Sequence, residues 1–181
     1  ASISEDGRYL LITVYHGSAG TRNDLYFKDL TSGGKVKTLV NDIDAHFGGT
    51  AAGNQLYLKT DWEAPNGRII AVDLTKPAKK NWKEIIPTGD LVMEYFTLAG
   101  GKLCVSYLDS VKSKVSIFDA DGTYQRDISF PNIGSVGLLI GRWDSDEAFY
   151  IFTSFNTPTT IFRYNVSSGE STVWAKRDIE L

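Results

Sequence analysis

The sequence is poor in the residues that build crosslinks and metal sites. Its 181 residues include one cysteine, Cys104, and two histidines, His16 and His46. A single cysteine excludes an internal disulfide framework. Two separated histidines without spaced cysteines predict neither a metal site nor another bound cofactor. A lone thiol is typical of a reducing compartment, so we expect a cytoplasmic protein, with the periplasm as the alternative.

Long apolar runs and blocks of like charge are also lacking. No apolar stretch approaches the ~18 residues that a membrane span needs, so no membrane association is expected. Lys and Arg number 19 against 22 Asp and Glu, which gives a formal net charge of −3. The densest basic stretch, residues 76–83, holds four lysines and is typical of a solvated loop. The sequence therefore predicts no nucleic-acid partner.

Aromatic and β-branched residues are common instead, and they recur with a period. Four alternating apolar segments each end in an acidic or amide residue, at Asp29, Asp73, Asp119 and Asn165. The spacings are 44, 46 and 46 residues. Four short strands in about 45 residues are typical of a β-propeller blade, whereas a β-sandwich has similar strands without this repeat. The three aspartates are expected to accept hydrogen bonds from backbone N–H groups in the following turns.

The sequence thus predicts an all-β fold, a β-propeller fragment of about four blades with four antiparallel strands each. The predicted blades span approximately residues 1–41, 42–88, 89–130 and 131–181. Residues 1–3 are too few for an ordinary innermost strand, so the first blade is expected to begin at its second strand.

No segment carries the Gly-x-Ser-x-Gly motif of a serine hydrolase. The nearest approach is Gly17-Ser18-Ala19-Gly20, which is one residue short and lies between two predicted strands. No helix N-terminus would support an oxyanion there, so a flexible hairpin loop is the favoured interpretation. We predict no catalytic residue in this chain.

Several passages nevertheless share their order and spacing with one known family. They lie at residues 4–11, 58–69, 82–87, 134–137 and 149–155. Together they resemble the C-terminal part of the β-propeller domain of the prolyl oligopeptidases, from residue 1 to about 175. The resemblance implies a serine peptidase that cleaves short peptides after proline. In that family a seven-bladed propeller caps the active site of an α/β-hydrolase domain and excludes folded proteins.

The family's catalytic Ser, Asp and His follow the propeller, and the hydrolase domain is absent from this sequence. The resemblance therefore implies a non-catalytic segment of a serine-type endopeptidase. Its implied partners are the hydrolase domain of the parent chain and short proline-containing peptides. The alternative is a free-standing propeller that binds proteins or peptides and closes by forming a homodimer, since two copies would supply about eight blades.

Substrate contacts are expected in the loop after the first complete strand. Many family members carry there an arginine that reaches the active site, and Tyr15 stands at that position in this chain. Ser18 stands where some relatives have a cysteine, and Arg22 could replace the missing arginine. The candidate substrate-binding residues are Tyr15, His16, Ser18 and Arg22. The competing interpretation is an exposed hairpin loop without a binding role.

Overall fold

The computed structural model describes residues 1–17 and 22–176. These residues form two compact units, one ending at Asp90 and the other beginning at Leu91. The strands of the first unit are β1 (Ser2–Ile3), β2 (Tyr9–Tyr15), β3 (Asn23–Asp29), β4 (Lys37–Val40), β5 (Phe47–Ala52), β6 (Gln55–Thr60), β7 (Arg68–Asp73) and β8 (Lys83–Ile86). Those of the second are β9 (Val92–Ala99), β10 (Lys102–Asp109), β11 (Lys112–Asp119), β12 (Tyr124–Asp127), β13 (Ser135–Val136), β14 (Ile140–Arg142), β15 (Ser145–Thr153), β16 (Thr160–Asn165) and β17 (Ser171–Lys176). A single 3₁₀ turn, Lys79–Asn81, is the helical element of the described ranges.

Each unit contains two antiparallel sheets in which neighbouring strands follow one another along the chain. The first three sheets have the orders β1-β2-β3-β4, β5-β6-β7-β8 and β9-β10-β11-β12. In the fourth sheet β13 and β14 both pair with β15, which is followed by β16 and β17. This up-and-down order is that of a propeller blade, and it confirms the predicted all-β, four-blade architecture. The predicted blade limits enclose these sheets and remain a prediction.

The first sheet contains an innermost strand, so the prediction that this blade begins at its second strand is wrong. The two residues of β1 pair with Leu10 and Leu11 of β2. Ser4 closes the turn between these strands, because its N–H donates to the Tyr9 carbonyl at 2.9 Å. Its Oγ also accepts from the Tyr9 N–H at 2.8 Å. These local hydrogen bonds fix a strand too short for any alternating pattern to predict.

The core of the first unit lies between its two sheets. Leu11 and Phe27 are paired across β2 and β3, so both side chains point to one face. They are buried in one cluster with Leu56 and Ile70 of the second sheet. Alternate residues of each strand thus supply the apolar contacts that stabilise the unit.

A similar core lies within the second unit. Ile117 of β11 is fully buried together with Tyr150 and Phe152 of β15. The ring of Tyr150 stacks on Phe162 with the centroids 5.2 Å apart, and Phe130 stacks on Phe152 at 5.7 Å. Stacked aromatic side chains therefore form part of this core.

The recurring aspartates have the predicted role in two of three turns. Asp29 and Asp73 each accept from the backbone N–H two residues on, at 3.0 Å and 2.8 Å. For Asp119 the prediction is wrong, because its Oδ1 accepts instead from the Lys102 ammonium at 2.5 Å. Asp121 accepts the backbone N–H of that turn. The repeat therefore marks the end of a strand correctly, while the hydrogen bond that closes the turn can move by two residues.

Candidate functional site

The predicted substrate-binding residues lie at the open end of the β2–β3 hairpin. Tyr15 is the last residue of β2, is 71% exposed and pairs with Asn23. Arg22 immediately precedes β3 and is half-buried. Ser18 lies outside the described residues. Because Tyr15 pairs with Asn23, the hairpin brings the backbone of Tyr15 close to that of Arg22, which precedes Asn23.

The imidazole of His16 lies within hydrogen-bonding distance of an aspartate on the adjacent strand. Its Nε2 lies 2.9 Å from Oδ2 of Asp24, whose side chain is almost fully buried. The Tyr26 hydroxyl donates to the same oxygen at 3.2 Å. Partial burial, and then the charge of Asp24, raise the pKa of Tyr26. Asp24 therefore orients the imidazole of His16 and accepts a hydrogen bond from the phenol of Tyr26.

Asn23 fixes the base of this hairpin against the second sheet. Its side chain is buried, and the residue is 1% exposed. Nδ2 donates to the Phe47 carbonyl at 2.9 Å, and Oδ1 accepts from the Phe47 N–H at 2.8 Å. The amide thus replaces a missing strand partner at the start of β5.

The other histidine of the chain is paired in a similar way. The backbone N–H of His46 donates to Oδ1 of Asp61 at 2.7 Å, and its Nδ1 lies 3.1 Å from Oδ2. Burial alone would raise the pKa of Asp61, but the hydrogen bonds from His46 outweigh it and hold that pKa below its usual value. His46 follows Ala45, whose carbonyl accepts from the Asn23 N–H at 3.3 Å. Both histidine–aspartate pairs therefore belong to the same end of the first unit.

We call Tyr15, His16, Arg22 and Asp24 the hairpin-end site. No carboxylate in residues 1–17 and 22–176 forms an ion pair with Arg22. The site presents a phenol, an imidazole and a guanidinium, which donate hydrogen bonds to carbonyl or carboxylate oxygens. Such a set can bind a peptide backbone or a peptide carboxylate.

Sequence reasoning missed Asn23 and Asp24. The available signal was two polar residues at the start of an otherwise apolar strand, where burial requires partners. Their partners, Phe47 and His16, are distant in sequence or lie across the hairpin.

The cysteine thiol and the potential metal ligands of the described residues form no reactive site. Cys104 is buried, and the loss of solvent raises the pKa of its thiol to about 12, which disfavours the reactive thiolate. Within the described ranges no three His, Cys, Asp or Glu side chains converge as metal ligands do. The same ranges contain no helix long and apolar enough to cross a membrane.

Comparison with known proteins shows which family has this arrangement of strands. The model of the prolyl oligopeptidase N-terminal β-propeller domain matches residues 1–177. The prolyl endopeptidase of Elizabethkingia meningoseptica is 30% identical over 99% of this chain and 25% of its own length. That of Dictyostelium discoideum is 28% identical over 81% of this chain and 20% of its own length. The chain therefore spans about a quarter of the length of the curated relatives that it matches.

Solved structures agree with the sequence comparison. A prolyl endopeptidase structure superposes with a TM-score of 0.92 at 35% identity, over 99% of this chain and 26% of that chain. The structure of a mutant prolyl oligopeptidase B from Galerina marginata bound to a 35mer substrate gives a TM-score of 0.83 at 23% identity, over 96% of this chain and 26% of that chain. This likeness shows a shared fold. Because the family match covers nearly every residue, the chain belongs to the prolyl oligopeptidase N-terminal β-propeller domain family.

Proposed function

We propose that this chain is a non-catalytic propeller segment of a prolyl oligopeptidase-like serine endopeptidase. In the whole protein it caps the active site of an α/β-hydrolase domain and limits substrates to short proline-containing peptides. The observation that carries the proposal is the match of residues 1–177 to the family's propeller domain. Support also comes from the relatives, of which this chain spans about a quarter. A cytoplasmic location belongs to the same proposal.

The hairpin-end site gives the proposal a substrate contact. Tyr15 is exposed, and His16 is held by Asp24 rather than free to rotate. Arg22 immediately precedes Asn23, whose side-chain amide donates one hydrogen bond to the Phe47 backbone and accepts another from it. Donors held on a fixed backbone lose little entropy when a flexible peptide binds. The site therefore suits recognition of an extended peptide rather than chemistry on it.

The size limit is tested on the full-length protein that contains this chain. Three substrates carry the same proline cleavage sequence: a short chromogenic peptide, a long unstructured peptide and an exposed loop of a folded protein. We expect kcat/KM to fall steeply along this series, because a larger substrate has to pass the propeller. A matched series with alanine in place of proline reports the background. Equal rates for all three substrates would refute the gating role.

The substrate contact is tested with Arg22→Ala in the same protein. Loss of a charged hydrogen bond of about 1.5–3 kcal/mol predicts KM for the short peptide to rise roughly 10- to 100-fold. Lys35→Ala, which removes an exposed charge from the β3–β4 turn, is the control and should leave KM unchanged. An unchanged KM for Arg22→Ala would remove Arg22 from the site.

A free-standing propeller that closes by homodimerisation remains the second candidate. Apolar side chains on two edge strands favour it, since Ile3 of β1 and Trp174 of β17 are exposed. Covering such surfaces is stabilising by about 25 cal/mol per Å². Light scattering on the purified chain distinguishes the two, because a monodisperse monomer at micromolar concentration contradicts the dimer.

A further inference from the structure

The connection between β7 and β8 carries a concentration of positive charge. Residues 74–83 contain four lysines and no Asp or Glu, in a chain whose formal net charge is −3. The lysines are Lys76, Lys79, Lys80 and Lys83, and all four are exposed. We call residues 74–83 the basic loop. Its charge is opposite in sign to that of the whole chain, so it forms a local region of positive potential.

The equivalent connections of the other three sheets lack this charge. Each joins the last two strands of its sheet. Residues 30–36 between β3 and β4 hold one lysine, whereas residues 120–123 and 166–170, in the other two sheets, hold no Lys or Arg. The β7–β8 connection is also the longest of the four. The blade architecture therefore does not require the basic loop.

Hydrogen bonds fix the course of this loop. The Lys76 N–H donates to the Asp73 carbonyl at 2.9 Å, and the Lys76 carbonyl accepts from Nδ2 of Asn81 at 3.0 Å. The indole N–H of Trp82 donates to the Pro77 carbonyl at 2.9 Å. These bonds join the first half of the loop to the second. The lysine side chains therefore project from a backbone that is already ordered, which lowers the entropy cost of binding a partner.

Lys79 attaches the loop to the core of the first unit. Its Nζ lies 3.9 Å from the centroid of the Trp62 ring, and that ring packs edge-on against the ring of Trp82 at 6.3 Å. Both tryptophans are partly buried against the core. The loop is thus exposed to solvent, as the sequence predicts, but it is anchored at its centre.

The ammonium groups of the basic loop have no carboxylate partner in the part of the chain that the structure describes. None of its four lysines forms an ion pair with a carboxylate of residues 1–17 or 22–176. Glu84 follows Lys83 directly, but it pairs with Arg68 at 2.9 Å. The positive charge of the loop is therefore available to an anionic partner.

The composition of the loop favours carboxylates as that partner. Arginine, whose planar guanidinium binds phosphate in a bidentate way, is absent from it. Single-stranded nucleic acids stack on exposed aromatic rings, and the tryptophans here pack against the core. Peripheral membrane binding uses large apolar side chains that enter the lipid, and none is exposed in residues 74–83.

We propose that the basic loop binds an extended acidic segment of a peptide or protein, whose Asp and Glu side chains pair with Lys76, Lys80 and Lys83. Lys79 keeps its contact with Trp62 and holds the loop in place. A single exposed ion pair contributes little, so several carboxylates along one segment have to bind together. Complementary charge of this kind also speeds association.

Fluorescence anisotropy tests this binding with the full-length protein and a labelled peptide of alternating Glu and Gly. A peptide with Gln in place of Glu has the same length without the charge. We expect saturable binding of the Glu peptide that weakens several-fold between about 50 and about 200 mM salt, because salt screens exposed charges. Equal binding of the Gln peptide, or an affinity that does not change with salt, overturns the inference.

Lys80→Gln combined with Lys83→Gln assigns the binding to the basic loop. Both side chains are exposed, and the anchoring contact of Lys79 stays in place. Loss of two ion pairs should weaken binding of the Glu peptide roughly 2- to 30-fold. The matched control, Lys35→Gln combined with Lys37→Gln, removes the same charge from exposed positions of the neighbouring sheet. An equal loss in the control would show a response to net charge alone and would overturn the inference.

The nature of the partner is tested with two other polyanions. A single-stranded oligonucleotide and phosphatidylserine vesicles should bind the full-length protein more weakly than the Glu peptide does. Tighter binding of either one that is lost in the double glutamine variant would identify a phosphate polyanion or a lipid surface as the partner, and would overturn the inference. The inference does not rest on the proposed function, because the Glu peptide contains no proline and its binding is measured without cleavage.

Discussion

The buried amide of Asn23 should be among the most sensitive positions of the first unit. Asn23→Ala removes both hydrogen bonds to the backbone of Phe47, which is itself buried. Each of the two backbone groups left buried without a partner costs about 1–3 kcal/mol, an amount that already includes the lost hydrogen bond. We therefore expect a loss of about 3 kcal/mol in the free energy of unfolding.

Urea denaturation of the chain, followed by tryptophan fluorescence, measures this loss. With a slope m of about 2 kcal/mol per M, a loss of about 3 kcal/mol lowers the midpoint by about 1.5 M. Asn81→Ala is the matched control, since Asn81 is exposed and donates one hydrogen bond to the Lys76 carbonyl. Its expected effect is about 0.5 kcal/mol.

A second variant separates hydrogen bonding from packing. Asn23→Asp preserves the shape of the side chain but loses the donor to the Phe47 carbonyl and places a carboxylate in a buried site. It should be at least as unstable as Asn23→Ala at pH 7. The reasoning is refuted if Asn23→Ala shifts the midpoint no more than Asn81→Ala does.

Two other predictions concern β5 and the β3–β4 turn. A Cβ added at Gly49 would clash with the Tyr57 carbonyl oxygen on the neighbouring strand, whereas one at Gly48 would meet nothing within 4 Å. Gly49→Ala should therefore lower the free energy of unfolding by about 1–3 kcal/mol, and Gly48→Ala should not. Urea denaturation of the two variants measures this difference. Hydrogen bonds from Arg8 first, and then from the turn, hold the pKa of Asp29 well below its usual range. That stabilisation is present above the ordinary pKa of about 3.9 and is lost as pH falls below it. Asp29→Asn should therefore be less stable than the parent chain at pH 7, with a difference that shrinks during acid titration; a constant difference would contradict this assignment.

The repeat made most of the fold predictable, because the residues that mark each blade are close together in the sequence. An alternating strand that ends in Asp or Asn needs no knowledge of distant residues, and all four such strands occur, as β3, β7, β11 and β16. The two residues of β1 could not be predicted this way, since they acquire strand geometry only through Ser4 and the pairing with β2.

The hairpin-end site was predictable only in part, for a related reason. Tyr15, His16 and Arg22 were chosen because many members of the family that the sequence resembles carry a substrate-binding arginine in this loop. Asp24 and Asn23 matter through partners that folding brings to them, and Phe47 is 24 residues from Asn23. From the sequence alone, a polar residue at the start of a strand could equally be exposed to solvent or buried, because its hydrogen-bond partner is not known.

The hydrogen bonds at Asn54 affect how the first unit opens. A single oxygen, Oδ1 of Asn54, accepts from the Arg8 guanidinium at 2.7 Å and from the Tyr9 hydroxyl at 2.8 Å. At the other end of the same pair of sheets, Asn23 bonds to Phe47. Neither sheet can separate without exposing both contacts, so the slowest amide protons of β2, β3, β6 and β7 should exchange with solvent as one group. Two blades joined in this way form one cooperative unit of unfolding instead of two independent repeats.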